Sequence, residues 1–345
     1  MPQFNFAQTL LNWHDQHGRK HLPWQQNINA YRVWISEIML QQTQVDTVIP
    51  YFERFIDRFP NVDSLANAHM DEVLHLWTGL GYYSRARNLH KCAQHIVNEH
   101  QSQLPNDLNT LASLPGIGPS TAAAISAIAF NQPNAILDGN VKRVLSRFHA
   151  VAGWPGKTAI ANTLWQHAHA HIPKTRCAQY TQAIMDFGAT LCTRSKPQCE
   201  HCPMARHCQA KQTDNVRHYP ESKPKTQKPV KHCQMLIIHN PAGHILLQQR
   251  PATGIWGGLW SLPEIAQEDD AKHYVQQHIG KVKTLEKQPI IKHVFSHYTL
   301  MIQPQSVQLK NPYTKIMENN PTLWYNPKQA PQIGLASPVK KLLHG

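Results

Sequence analysis

Four of the seven cysteines fall within 17 residues, as Cys192-x6-Cys199-x2-Cys202-x5-Cys208, while Cys92, Cys177 and Cys233 stand alone. No other feature of the sequence constrains the fold so tightly, because four thiolates this close together can wrap one tetrahedral metal or one cubane. A disulfide framework would distribute its cysteines more evenly along a chain of 345 residues. The clustering suits a metal site in a reducing compartment. Structural zinc usually takes two close Cys or His pairs, whereas only one Cys-x2-Cys is present; zinc nevertheless stays open as the alternative. Arg194, Lys196, Arg206 and His207 lie among the cysteines, where they would offset thiolate charge and present a basic loop to a polyanion.

The chain changes character on either side of this cluster. Residues 1–208 alternate apolar helical stripes with short breakers; 65–77, 84–100, 120–130, 141–151 and 161–171 all read as helices. The first residues form an amphipathic helix with Phe6, Leu10, Leu11 and Trp13 inward, and read as neither a signal peptide nor a membrane span. An intracellular, cytoplasmic location is the corresponding expectation. Residues 209–231 mix Lys211, Arg217, Lys223, Lys225, Lys228 and Lys231 with Pro220, Pro224 and Pro229. So little apolar surface predicts a linker following a phosphate backbone. From 232 to 345 the period is that of strands: a hairpin over 234–239 and 244–249, a helix near 271–279, and strands near 294–302 and 307–310. The expected fold is thus a mostly α-helical core carrying the cysteine loop, then a small α+β domain.

The charge balance, 34 basic against 21 acidic residues, favours a polyanionic partner, although solubility alone accounts for such an excess in many proteins. Leu114-Pro-Gly-Ile-Gly-Pro-Ser-Thr121 fits a hairpin between helices whose glycines, Gly116 and Gly118, let backbone N–H groups approach a phosphate at a helix start. A plain helical hairpin is the unspecialised reading. Twenty residues on, Ile136-Leu-Asp-Gly-Asn-Val-Lys-Arg143 places Asp138 at a helix N-terminus, where capping and the helix dipole should hold its carboxyl ionised. Glu37, in Tyr31-Arg-Val-Trp-Ile-Ser-Glu-Ile-Met-Leu-Gln-Gln-Thr43, has Val33, Leu40 and Gln41 as helical neighbours and no basic residue at helical contact distance. It should keep its proton near neutrality. One protonated and one ionised carboxyl is the division of labour that cleavage through an oxocarbenium-like state requires.

SEIMLQQTQV, LHLWTGLGYYSRARNLHK, LPGIGPSTA, ILDGNVKRVL and CTRSKPQCEHCP together resemble MutY-type adenine DNA glycosylases, of the helix-hairpin-helix base-excision superfamily, over nearly the whole chain. The resemblance implies two helical lobes holding a [4Fe–4S] cluster on Cys192, Cys199, Cys202 and Cys208, then a Nudix-like domain. It implies a monomer, nucleoid-associated in a bacterium, acting on double-stranded DNA with adenine opposite 8-oxoguanine or guanine. Glu37 would be the general acid, Asp138 would stabilise the positive sugar, and Asn140 would support that carboxylate. Arg19, Trp24 and Ser120 match the adenine pocket. Gln42 and Tyr82 match residues that fill or wedge the duplex, and Gln41, Gly116, Gly118 and Lys142 complete the DNA contacts. Phe295, Ser296 and His297 match the segment that reads 8-oxoguanine.

Two departures from related patterns matter. Ser120 stands where bifunctional glycosylases place a lysine, and a serine cannot form a Schiff base, which predicts no efficient lyase step. Gly257-Gly-Leu-Trp-Ser-Leu-Pro-Glu264 resembles the start of a Nudix box, but Glu268-Asp-Asp-Ala-Lys-His-Tyr-Val-Gln-Gln277 lacks the carboxylate run that would hold Mg²⁺. Nucleotide hydrolysis is therefore not expected. The competing readings are an endonuclease III-like glycosylase/lyase, against which Ser120 speaks, and a non-catalytic mismatch binder, which would have no need of both carboxyls.

Overall fold

The computed structural model describes residues 4–224, 227–312, 321–329 and 333–344. The chain divides into two compact units, one of Met1–Asn67 with Lys91–Lys225, the other of Ala68–His90 with Thr226–Gly345. No helix among the described residues is long and apolar enough to cross a membrane.

The first unit is helical. Several of its helices begin where a short polar side chain accepts from a free N–H of the first turn. Asn5 Oδ1 accepts from Gln8 N at 3.0 Å, Asn29 Oδ1 from Arg32 N at 2.9 Å, and Asp107 Oδ1 from Thr110 N at 2.8 Å. Helix Ala30–Leu40 is buried on most of its surface, with Trp34 and Ile35 fully enclosed. It packs against helix Pro119–Phe130, whose alanine-rich face allows close approach. Helices Leu108–Ser113 and Pro119–Phe130 form the expected hairpin. Gly116 takes φ +79°, which accounts for a glycine there; Gly118 has an ordinary backbone, and a side chain on it would meet nothing within 4 Å. Gly118 therefore leaves room beside the hairpin and does not serve the turn.

The segment expected to be a linker belongs to this unit in its first half. Gln209–Gln212 is a helical turn with Ala210 buried, and Val216–His218 a 3₁₀ turn. The reason is Arg147, on helix Gly139–Phe148 and 2% exposed. Its guanidinium donates to Val216 O and Tyr219 O at 3.1 and 2.9 Å, and to Thr193 O and Arg194 O at 2.7 and 3.0 Å. A basic, proline-rich composition hid a set of carbonyls that one buried cation gathers. The helix read over 65–77 is likewise two, Val62–Ala66 and Met70–Leu76.

In the second unit a mixed sheet is built from β1 (Val230–His239), β2 (Ile245–Gln249), β3 (Trp260–Ser261), β4 (Glu264–Ile265), β5 (Gly280–Lys287), β6 (Ile291–Val294), β7 (Thr299–Pro312) and β8 (Thr322–Tyr325). The main order is β3-β2-β1-β7-β5, with β1 and β7 parallel. The expected hairpin is β1–β2. The two strands read over 294–302 and 307–310 are one, β7, which pairs with β6 at its start and β5 at its end. Helix Ala271–His278 lays Ala271 and Val275 on Leu236, Ile238, Val307 and Leu309.

Arg147→Met keeps the packing stem and leaves at least four carbonyls without their donor. We expect a loss of about 3 kcal/mol or more in unfolding free energy. New protease cleavage should appear between residues 209 and 224. Unchanged denaturation and an unchanged digestion pattern would remove Arg147 from this role.

Candidate active site

A cleft of about 740 Å³ in the helical unit is lined by Glu37, Asp138, Asn140, Arg19, Trp24, Ser120, Gln41 and Gln42, all expected site residues. Gln182, Asp186 and Arg143, which the sequence reading did not single out, line it too. Lys142, on the same helix as Asn140, is half-buried and does not line it.

Glu37 projects from helix Ala30–Leu40, whose other faces are nearly all buried, and it keeps some surface open to the cleft. Among the described residues nothing donates a hydrogen bond to its carboxyl. Burial, with the charge of Asp138 adding to it, pushes its pKa up to about 8. An acid so placed holds its proton at neutral pH.

Asp138 is the N-cap expected of it. Its Oδ1 accepts from Val141 N at 2.7 Å, and Asn140 Nδ2 donates to its Oδ2 at 3.3 Å. Ser120 Oγ accepts from Leu137 N at 3.1 Å, tying the hairpin helix to the strand-like approach to this cap. Capping was expected to hold the Asp138 carboxyl below the ordinary range, and here the structure differs. Burial outweighs the bonds from Val141 and Asn140 and the charge of Arg143, so the net shift is upward. The cap sits inside the protein, and desolvation of the anion exceeds what two N–H donors return. With several groups favouring its anion and none favouring that of Glu37, a single proton shared by the two carboxyls resides on Glu37.

The remaining geometry fixes these two acids. Arg143 Nη2 donates to Asn140 Oδ1 at 2.8 Å and to Gly188 O at 2.6 Å, while its Nε donates to Cys192 O at 2.8 Å. Gly188 belongs to a π-helical turn, Phe187–Leu191, and an added Cβ would lie 2.7 Å from the Cβ of Asn140. Only glycine permits that approach. Arg19 is locked by Asp186, which is 1% exposed: Nε and Nη2 donate to Oδ1 at 2.8 and 2.6 Å, and Arg19 N to Oδ2 at 2.8 Å. Trp24 is buried edge-on against Phe52, with ring centroids 5.5 Å apart. Gln25 Nε2 donates to Gln182 Oε1 at 3.3 Å, and Gln41 Nε2 to Thr121 Oγ1 at 3.3 Å.

Cys192, Cys199, Cys202 and Cys208 line a second, apolar cavity. Burial pushes the Cys202 thiol up to about 12 and those of Cys199 and Cys208 upward. Arg147 Nη1 lies 3.3 Å from Cys192 Sγ. Among the described residues no three His, Cys, Asp or Glu side chains converge closely enough to hold a single ion.

The remaining expected residues lie in the second unit. Tyr82 is 48% exposed with φ +48°. Phe295, Ser296 and His297 form the turn between β6 and β7 and not, as read from sequence, part of a strand: Phe295 N donates to Tyr298 O at 2.9 Å, and Ser296 and His297 are exposed.

Comparison with known proteins finds two families along the chain. Residues 35–169 match the model of the HhH-GPD superfamily of base excision DNA repair proteins, and residues 234–345 match the NUDIX domain model. An adenine DNA glycosylase of Buchnera aphidicola subsp. Baizongia pistaciae is 39% identical over 338 residues, covering 98% of this chain and 95% of that protein. That of Homo sapiens is 32% identical over 367 residues, covering 88% and 67%. Among solved structures, a thermostable thymine-DNA glycosylase superposes with a TM-score of 0.53 at 26% identity, over 60% of this chain and 95% of that one. An endonuclease III–DNA complex, at 20% identity and a TM-score of 0.51, shares the fold of the helical part.

The raised Glu37 pKa carries a stability consequence. A carboxyl that ionises near 8 when folded and near 4.5 when unfolded costs stability as pH rises between those values. Glu37→Gln should therefore gain on the wild type from pH 5 to pH 8 and hold a constant margin above. We expect a margin of at least about 1 kcal/mol, the full shift being discounted for the carboxyl's access to solvent. Denaturant titrations of both proteins across that range check it; parallel pH curves would contradict a raised pKa.

Proposed function

This chain belongs to the adenine DNA glycosylases of the helix-hairpin-helix base-excision superfamily, and we propose that it excises adenine paired with 8-oxoguanine or guanine in duplex DNA, without strand cleavage. It is a DNA glycosylase of base excision repair, a hydrolase of N-glycosidic bonds. The observation that carries the mechanistic reading is the unlike pair in one cleft, Glu37 without a hydrogen-bond donor and Asp138 with several.

The adenine, rotated out of the duplex, enters between Trp24 and the two acids. Glu37 delivers its proton to the purine ring and makes the base a neutral leaving group. As the bond to the sugar lengthens, positive charge develops at the anomeric carbon, and the carboxylate of Asp138 stabilises it. Asn140 and Arg143 keep that carboxylate aimed and anionic. Glu37, now ionised, accepts a proton from the attacking water. Gln182, which accepts from Gln25, presents its amide to the base, a chemistry suited to the adjacent acceptor and donor of adenine. With Ser120 in the cleft, no amine is available there for Schiff-base chemistry, which supports a monofunctional reaction.

Cys192, Cys199, Cys202 and Cys208 would hold a [4Fe–4S] cluster. The donor set fits: four thiols line one apolar cavity, and the sequence offers only one Cys-x2-Cys where structural zinc usually takes two close pairs. The cluster when bound supplies thiolate ligation that cross-links residues 192–208 and removes the protons that burial otherwise keeps on the thiols. Phe295, Ser296 and His297 would read the base opposite adenine, and Tyr82 would fill the duplex where the adenine leaves.

Single-turnover excision from a duplex with adenine opposite 8-oxoguanine tests the reading. Rates should fall above about pH 8 as Glu37 loses its proton, and on the acid side as Asp138 gains one. Glu37→Gln should retain mismatch binding and lose at least about a thousandfold in rate; turnover at the normal rate would eliminate Glu37 as the acid. For the metal assignment, Cys199→Ser should lower visible absorbance and DNA affinity together, and retention of both would count against ligation by this residue.

A further inference from the structure

The turn that bears Tyr82 is part of the C-terminal unit. Residues 68–90 pack with residues beyond 226, and the hydrogen bonds show how. The turn itself is stitched from within: Gly79, Gly81 and Tyr82 all have positive φ, and Trp77 Nε1 donates to Gly81 O at 3.1 Å. Arg85 Nη2 donates to Leu80 O and Gly81 O at 3.3 and 3.2 Å, and its guanidinium lies 5.6 Å from the Tyr82 ring centroid.

Two residues just after Tyr82 then reach out of the turn. Tyr83 Oη donates to Leu335 O at 3.3 Å, and Arg87 Nη1 donates to Gly257 O at 2.5 Å. Gly257 directly follows Trp256, itself held at φ +56°. The Trp256 ring packs on Phe295 and His293, with centroids 5.2 and 5.4 Å away. Covalent neighbours and direct contacts therefore run from the Tyr82 turn through Arg87, Gly257 and Trp256 to Phe295, beside the exposed Ser296. The carbonyl of Gly257 has a half-buried guanidinium as donor, a charge-assisted bond that a shift of either partner would break.

We propose that Arg87 is a positioning residue that couples reading of the opposite base at Phe295–His297 to insertion of Tyr82 into the duplex. A base that seats well against the turn over 295–297 fixes Trp256 and Gly257, and Arg87 passes that order to the Tyr82 turn. A base that seats poorly leaves Tyr82 less well placed. Preference for 8-oxoguanine over guanine then reflects both the contacts of Ser296 and the placement of a wedge that touches neither acid. The proposal rests on the roles given above to Tyr82 and to residues 295–297.

The test uses the full-length protein with its cluster and two duplexes, adenine opposite 8-oxoguanine and opposite guanine. The readout is the ratio of their single-turnover rates. Arg87→Met, which keeps the stem and removes the donor, should lower that ratio about tenfold, and Arg87→Lys should recover part of it. Ser296→Ala should lower the ratio in the wild-type background but by less than about twofold in the Arg87→Met background, the non-additivity of coupled sites. A 2-aminopurine beside the opposite base should report weaker stacking by Tyr82 in Arg87→Met. Should Arg87→Met fail to fold, Tyr83→Phe, which removes the hydroxyl that donates to Leu335 O and accepts from Gly79 N, should lower the same ratio to a smaller extent. An unchanged ratio in a folded variant, or independent effects of Arg87 and Ser296, overturns the coupling while leaving the functional reading intact. A wild-type protein without adenine excision, or without preference between the duplexes, overturns that reading and the coupling with it.

Discussion

An acid can keep its proton at neutral pH inside a basic protein only where nothing cationic reaches its anion, and the cleft of the helical unit is arranged around that constraint. Two of the guanidinium groups that line it are engaged elsewhere. Arg19 is held by the buried carboxylate of Asp186 through three hydrogen bonds, and Arg143 by Asn140, Gly188 O and Cys192 O. Glu37 is left with apolar helix neighbours and the negative charge of Asp138, and both raise its pKa. Asp186 thus matters to the chemistry without approaching a reacting atom. A free guanidinium at position 19 would stabilise the Glu37 anion and take away the proton the reaction needs.

The second acid depends on a different part of the chain. Helix Gly139–Phe148 begins at the Asp138 cap and carries Asn140, Arg143 and Arg147 at intervals of three and four, so the three side chains lie on one face. Asn140 meets Asp138, Arg143 bridges Asn140 to the backbone at Gly188 and Cys192, and Arg147 gathers the carbonyls of 192–194 with those of Val216 and Tyr219. The cysteine loop is therefore the far support of the carboxylate. Its thiols enclose a cavity lined by apolar groups, and the loop has little regular secondary structure beyond 3₁₀ turns. Ligation of the proposed cluster by these four thiols would supply the cross-links that such a segment lacks.

What was legible in the sequence divides along physical lines. The helices from Ser84, Pro119 and Thr158, the hairpin β1–β2 and the cap at Asp138 were readable because each follows from local periodicity, turn chemistry or a polar side chain at a helix start. Glu37 was readable from its neighbours alone. Asp186 and Arg147 were not, since an isolated charge in an apolar stripe reads as a surface residue until its partner, 167 and up to 72 positions away, is known. The direction of the Asp138 shift was missed for a related reason: capping is a local property, whereas desolvation is set by everything packed around the cap. Parallel pairing of β1 with β7 is likewise long-range, and no local pattern announces it.

Excision of a normal base raises a difficulty that the two acids cannot resolve, because adenine is correct in most of the duplex. An excess of 13 positive charges gives affinity for any DNA and discriminates nothing. Extruding a nucleotide costs a few kcal/mol of unstacking and unpairing, and that cost must be offset only where the partner base is wrong. Discrimination therefore has to come from groups that meet the partner base and the emptied stack, and not from groups that meet the adenine. The residues proposed for the two tasks fall in different units: Glu37, Asp138 and their supports belong to the helical unit, while the exposed Tyr82 and the turn over 295–297 belong to the other. On the roles proposed above for Tyr82 and residues 295–297, the place of residues 68–90 in the C-terminal unit gives the two one common frame. A contact to the partner base can then be felt at the wedge without passing through the cleft, and the chemistry there can stay indifferent to which partner was read.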